Sequence, residues 1–435
     1  MEYLKKATLD REAQAETVSG TVSDMLLDIR LNRESAVRKI ALKLDGWSGE
    51  FILSAGEREA LIEQVPEQEK QDIRFAHQQV KHFAEAQRQS ISEFAIETEP
   101  GVRLGQSLVP VECAGCYVPG GRYAHAASAI MSITTARVAG VPFIVTACPP
   151  RGSSIAPAIA YAMDMAGADV ILQMGGIQAI ATMAFGLFDT RPADILVGPG
   201  NAYVAEAKRQ LFGEIGIDLL AGPTESAIIA DDSADAMTVA VDLAGQAEHG
   251  PDSPVWLFTT SRDLGETVLR IMPKLAADMP SGNVVMQAWN NHAEIIVCSS
   301  RNEICQVSDS FASEHLQVIA EDLDWWRRNL KNYGSLFLGE GSSVTHGDKC
   351  SGTNHILPTK RAARYTGGLN VMKFLKVLTW QQLSRDANLP FSGTGSRISR
   401  LEGMDGHARS CDWRLRKYFP DQDWDFEVAE QKRYD

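Results

Sequence analysis

The sequence predicts an α/β protein of two doubly wound units, with a helical segment in front and an extended tail behind. Three observations carry this. Two long stretches alternate strand-like apolar runs with helix-like runs, with Gly and Pro at the joints. The opening roughly 90 residues carry apolar side chains at three- and four-residue spacing instead. The chain of 435 residues exceeds one ordinary domain, and its 44% hydrophobic content is enough for more than one core.

Taken in order, VSDMLLDIRLNRESAVRKIALKLDG reads as a helix stopped by Gly46, and EQEKQDIRFAHQQVKHFAEAQRQ as a second, strongly charged helix. FAIETEP and VRLGQSLVPVE are short strands before the turn VPGGR. The first alternating run follows: PFIVTAC, a helix from Ile155 to Met165, DVILQM, the helix IQAIATMAFG, DILVG, the helix AYVAEAKRQLF and GIDLLAG. The second comprises ESAIIAD, the helix SADAMTVAVDLAGQAEHG, PVWLFTT, a helix around LGETVLRIM, EIIVC, a helix near 302–313 and LQVIA. Alternation of this kind demands parallel strands with crossover helices. The last 65 or so residues read as less regular, and the end, YFPDQDWDFEVAEQKRYD, as an acidic tail with interspersed aromatics.

A formal net charge of −14 argues against a nucleic-acid or membrane-surface partner. The opening MEYLKKATLDREAQ lacks the apolar core of a signal peptide, and no run is apolar enough to span a bilayer. Seven scattered cysteines, an odd number, suit a reducing cytoplasm. Cys113 and Cys116 form a CxxC without a second pair, which reads as two packed thiols.

Four segments carry candidate chemistry. In GQAEHGPDSP, Gln246 and His249 lie three apart at a helix end and share a face, so they can supply half of a metal site. In ASEHLQVIA, Glu314 and His315 precede a strand; such a histidine can take a proton from an alcohol at neutral pH. The Gly-, Ser- and Asn-rich loop GDKCSGTNHILPTKRAARYTGG offers Asp348 as a hard ligand and His355 as a donor. LEGMDGHARS offers Glu402 and His407. Gly-rich joints after Tyr117, at 175–176 and at 198–200 suit a nucleotide phosphate, though none is a GxGxxG fingerprint.

The ordered set YVPGG, GPGNAYVAEAK, AGPTE, GQAEHGPDSP, SEHL, GTNHILPT and LEGMDGH resembles the histidinol dehydrogenase family over nearly the whole chain. The resemblance implies an NAD-dependent alcohol-to-acid dehydrogenase with one zinc ion per subunit. Zinc would be held by Gln246, His249, Asp348 and His407, with Glu314 and His315 as the acid–base pair. Substrate contacts would fall on Thr224, His355 and Glu402, and NAD contacts on Tyr117, Gln178 and Asn201. It further implies an intertwined homodimer in which His407 completes the partner's site. The expected domains are 1–116 (helices and part of the first α/β domain), an inserted Rossmann-like NAD domain at 117–223, the remainder of the first domain with the zinc and catalytic residues at 224–369, and a tail at 370–435. The stretch TKRAARYTGGLNVMKFLKVLTW and the opening YLKKA resemble a branch that includes a dehydrogenase of 2,3-dihydroxypropane-1-sulfonate (sulfopropanediol), oxidised to 3-sulfolactate. A sulfonate needs charge-assisted donors; Lys360, Arg361, Arg364, Arg397 and Arg400 are the candidates, Arg361 and Arg364 foremost. The competing readings are histidine-forming histidinol dehydrogenase, another polyol or amino-alcohol dehydrogenase, and a non-catalytic metal- and nucleotide-binding protein.

Overall fold

The computed structural model describes residues 1–8, 15–120 and 125–424, without the side chains of 15–17. Gly121 and Arg122 of the VPGGR turn, and the acidic tail beyond residue 424, lie outside the described residues. The strands in chain order are β1 (Glu2–Lys5), β2 (Phe94–Glu99), β3 (Val102–Pro110), β4 (Cys113–Tyr117), β5 (Phe143–Cys148), β6 (Val170–Gln173) and β7 (Ile195–Val197). They continue with β8 (Gly216–Ile217), β9 (Ser226–Ala230), β10 (Val255–Thr259), β11 (Glu294–Val297), β12 (His315–Ile319), β13 (Ser335–Leu338) and β14 (Leu375–Leu383).

Two compact units are defined: one of Met1–Ser90 with Pro110–Phe374, the other of Ile91–Val109 with Leu375–Asp435. The first unit holds two parallel sheets of matching order. One runs β6-β5-β4-β7-β8; the other runs β11-β10-β9-β12-β13, with β1 added antiparallel at its β11 edge. In each, the chain starts in the middle strand, builds outward one way, then crosses to the other side. That crossing makes a topological switch point, between β4 and β7 in one sheet and between β9 and β12 in the other. Neighbouring residues of β9 face opposite ways: Ile228 and Ala230 enter the core under helices Ala236–Ala247, Arg262–Ala277 and Gly282–His292. Ala227 and Ile229 enter the core under Arg301–Phe311 and Leu323–Asn329. This period of two on a strand buried on both faces explains the near-continuous apolar run ESAIIAD.

Three expectations need correction. The boundary at 117 falls at the end of β4, which already belongs to the five-stranded sheet from Cys113. The N-terminal helices Ala15–Asp45, Ala55–Glu63 and Glu67–Gln89 pack on the helices of that same five-stranded sheet; only β1 joins the six-stranded one. The C-terminal part is regular as far as it is described, not an extended tail: β14 joins β3 and β2, and Asn388–Leu401 and Asp405–Tyr418 form a helical hairpin. The helix Ala126–Ala139 escaped the sequence reading because it is buried on nearly every side, leaving no polar stripe. Its Ser132 and Thr135 hydroxyls donate to carbonyls one turn back, at 2.7 and 2.6 Å. All seven cysteines are free, and burial pushes the Cys113 thiol up to about 12, as inert packed thiols require. No helix among the described residues is long and apolar enough to cross a membrane.

Candidate active site

The helix Ala236–Ala247 leaves the end of β9 and returns to the start of β10, so its C-terminus lies at the amino ends of the strands. Gln246 ends up there, with His249 just beyond, and β12 begins there with His315. The loop after β13 turns into the short helix Val344–Lys349 and brings Asp348 to the same place. His249 Nε2 lies 4.0 Å from Asp348 Oδ2, and His315 Nε2 lies 3.1 Å from Asp348 Oδ1. His315 Nδ1 lies 3.7 Å from Glu314 Oε2. Three of the four expected metal ligands and both acid–base residues therefore meet at one sheet edge.

Electrostatics separates their roles. Burial lifts the Glu314 carboxyl well above the ordinary carboxylate range; His315 and the Glu225 backbone N–H oppose this, and the charges of Glu225 and Asp348 add to it. Burial alone would strip the proton from His315, but the Glu314 and Asp348 carboxylates outweigh it and raise its basicity. Asp348 is itself desolvated, yet its bond to His315 holds it ionised. His249 keeps 35% of its side chain open to the cleft. The surrounding protein still pushes its pKa down to about 4, with Asp348 opposing and His315 and Lys349 assisting. It is thus a neutral imidazole, the form that binds a metal.

Buried polar atoms without partners gather here: Gln246 Oε1, His315 Nδ1, Ser226 Oγ and Ser313 Oγ. An unpaired buried carbonyl costs roughly 1–3 kcal/mol, so Gln246 Oε1 is aimed at a partner outside the chain's own hydrogen bonds. Among the described residues no set of three or more His, Cys, Asp and Glu side chains is gathered tightly enough to hold a metal by itself. The donor set in this unit is one amide oxygen, one neutral imidazole and one carboxylate. His407 stands in the second unit, exposed at the start of the helix Asp405–Tyr418, and Glu402 is exposed just before it.

The cleft over these groups encloses about 780 Å³, walled by Phe75 and Ala76, His125 and Ile130, Gln246 and His249, and Asp348 to Cys350 with His355. His355 sits differently from the expected free donor. Its Nδ1 is 2.8 Å from the Asp348 carbonyl oxygen, which can only accept, so Nε2 accepts from Ser128 Oγ at 2.8 Å. Both nitrogens are engaged, so a substrate contact there has to displace Ser128. Thr224 is half-buried just before β9. The basic cluster is also placed otherwise: Lys360, Arg361 and Arg364 are exposed on a turn and do not line this cleft. Arg400 is tied to Asp412 at 2.6 Å within the helical hairpin. The Lys or Arg that does line the cleft, among the described residues, is Lys349.

Sequence reasoning missed Glu225 as well as Lys349. The Glu225 backbone N–H donates to Glu314 Oε2 at 3.0 Å, its carbonyl accepts from the His315 N–H at 3.0 Å, and its carboxylate accepts from the Lys360 N–H at 3.1 Å. It ties Glu314 and His315 to the loop at Lys360. Glu225 ends the quoted AGPTE, and Lys349 adjoins Asp348, so both stood beside residues already singled out.

The expected cofactor residues lie at the carboxyl ends of the five-stranded sheet. Tyr117 ends β4, and its hydroxyl accepts from the Gly176 N–H at 3.3 Å. Gln178 is buried and donates to Asp45 at 2.7 Å, with its Oε1 unpartnered. Asn201 caps the helix Ala202–Leu211, accepting from Tyr203 and Val204 at 3.0 and 3.1 Å.

An edge of one parallel sheet that gathers a buried His between two carboxylates, with glycine-rich strand ends on another sheet, fits a cofactor-using oxidoreductase. The chain belongs to the histidinol dehydrogenase family, whose model matches residues 9–415. It is 53% identical to a sulfopropanediol 3-dehydrogenase of Ruegeria pomeroyi, over 98% of each chain. It is 55% identical to a histidinol dehydrogenase homolog of the same organism, over 92% of this chain and 93% of the other. The crystal structure of histidinol dehydrogenase from Elizabethkingia anophelis superposes with a TM-score of 0.87 at 31% identity, covering 95% of this chain and 94% of that one. The protein is an NAD-dependent dehydrogenase of a family that is in general zinc-binding and oxidises alcohols to acids in two steps.

Proposed function

We propose that this enzyme oxidises 2,3-dihydroxypropane-1-sulfonate to 3-sulfolactate, using two NAD per turnover at the amino edge of the six-stranded sheet. The observation that carries the site is His315 held between Asp348 and Glu314, beside the unpartnered Gln246 oxygen. With Nε2–H donated to Asp348, the lone pair of His315 is presented at Nδ1, where it takes the alcohol proton. Glu314, made more basic by burial, accepts in its ionised form a proton from water as it adds to the bound aldehyde. Balanced over both steps, the primary alcohol, one water and two NAD give the carboxylate, two NADH and three protons. NAD supplies the hydride acceptor. Gln246, His249 and Asp348 would hold zinc, which would serve as a Lewis acid and template for the substrate oxygens.

We place the NAD domain, read as Rossmann-like, at 113–223, with Tyr117, Gln178 and Asn201 beside the cofactor. The active form is a homodimer in the cytoplasm, with His407, Glu402 and the rest of 370–435 serving the partner's site. The substrate reading is supported by the 53% identity to an enzyme named for sulfopropanediol and by Lys349, which offers a sulfonate a charge-assisted donor in the cleft. The test is NADH formation from the sulfonate diol, histidinol and glycerol. Two NADH per sulfonate diol and little from histidinol are expected. Preferential oxidation of histidinol overturns the substrate. Lys349→Met should cost the sulfonate diol about tenfold or more in kcat/KM, as loss of one charge-assisted bond implies, while sparing glycerol. Equal losses on both would take Lys349 out of anion recognition.

A further inference from the structure

The loop Gly198–Asn201 follows β7 at the switch point of the five-stranded sheet, beside the end of β4. Gly198 has φ +116, and a side chain there would meet the Tyr117 carbonyl oxygen at 2.0 Å. Its backbone is pressed against the very place where a ligand crosses such a sheet. Both of its polar backbone groups are taken by one buried ion pair. Asp218, just after β8, accepts the Gly198 N–H at 2.7 Å. Lys208, from the middle of the following helix, donates to the Gly198 carbonyl at 3.0 Å and to Asp218. The two side chains are 2% and 0% exposed. Asp218 also accepts the Leu219 N–H at 2.6 Å, so the pair joins the ends of β7 and β8.

A fully buried ion pair is a poor stabiliser, since desolvating two charges offsets most of their attraction. A Lys–Asp pair spent on one glycine is better explained by position than by stability. The other end of the loop is held independently by the Asn201 cap. Between these anchors the backbone of Pro199 and Gly200 is presented at the sheet's carboxyl edge. We propose that the Lys208–Asp218 pair is a positioning device for the cofactor, holding this loop in the conformation that binds the NAD pyrophosphate. The inference rests on the reading that this sheet carries NAD.

The test uses the full-length dimer and the variant Lys208→Met/Asp218→Asn, which leaves no lone buried charge and keeps an acceptor for the Gly198 N–H. NAD binding is measured by titration calorimetry, thermal unfolding without NAD, and steady-state kinetics with each substrate varied. The expected result is a Kd and a KM for NAD raised about tenfold or more, with kcat and the KM for the alcohol within about twofold. A folded variant with unchanged NAD affinity overturns the proposal. So does an equal loss in every kinetic constant, which would mark the pair as packing only. Asp218→Asn alone leaves Lys208 as a lone buried charge and is expected to lower Tm by several degrees and to weaken NAD about threefold or more; normal affinity in that variant, folded at the assay temperature, also overturns it. A wild-type chain that does not bind NAD removes the underlying reading instead.

Discussion

Gln246 is the residue whose surroundings say most about an absent partner. A buried carbonyl with no donor is a loss to stability unless something outside the chain meets it. Gln246→Leu should therefore leave the metal-free protein as stable as wild type, or more so. It should also abolish the rise in Tm that zinc confers and lower bound zinc measured by elemental analysis. A zinc-induced shift equal to wild type would take Gln246 out of the ligand set. His315→Asn should slow alcohol oxidation by roughly 10²–10⁴-fold, the usual worth of a positioned base, with NAD affinity unaltered. His249 and His125 are both pushed down to about 4 by burial from an ordinary value of 6.5. The unfolded chain then binds protons below about pH 6.5 that the folded chain refuses, so the contribution of these two histidines to stability is complete above 6.5 and is lost as pH drops toward 4. Thermal unfolding of metal-free protein should show that slope, and His125→Asn with His249→Asn should reduce it, leaving the share of the similarly depressed His355. A slope confined below pH 4 would contradict it.

At the scale of elements, the site depends on helices and loops returning to the amino edge of a sheet. Glu225, immediately before β9, links Glu314, His315 and Lys360 through its own backbone and carboxylate. In the second unit, Arg400 on Asn388–Leu401 meets the buried Asp412 on Asp405–Tyr418, the helix that begins beside His407. Cutting one partner of a fully buried pair costs roughly 3–5 kcal/mol, and less here, where the Arg400 side chain is 28% exposed. Asp412→Ala should lower Tm by several degrees, read by thermal unfolding; an unchanged Tm would show the hairpin held by apolar packing alone. These links were illegible in sequence, because Arg400 read as a spare cation near a substrate. Its partner lies twelve residues on, across a turn.

On the scale of the whole molecule, the metal site is expected to be shared. Gln246, His249 and Asp348 gather in the first unit, whereas His407 is exposed in the second. In a symmetric dimer with exchanged ends, mixing inactive His249→Ala and His407→Ala chains should restore activity. One site of each mixed dimer carries both lesions and the other carries neither. Recovery toward a quarter of wild-type activity is expected when exchange is complete: about half the dimers are then mixed, each with one intact site. No recovery after demonstrated exchange would place each site within one chain.

The sequence by itself determined the alternation of strands and helices, because a strand buried on both faces needs an apolar run and a crossover needs Gly or Pro at its joints. It also determined which residue types could do the chemistry: Gln246 and His249 at one helix end, Glu314 and His315 before one strand, Asp348 in one loop. Tertiary structure decided what those residues face. It set His355 between Ser128 and the Asp348 carbonyl, moved the cation of the cleft from Arg361 and Arg364 to Lys349, and spent Lys208 and Asp218 on Gly198. Local pattern governs backbone conformation within a few residues. In the cleft, hydrogen-bond partners lie as far apart in sequence as Ser128 and His355, 227 positions, and only the packing of the chain brings them within reach.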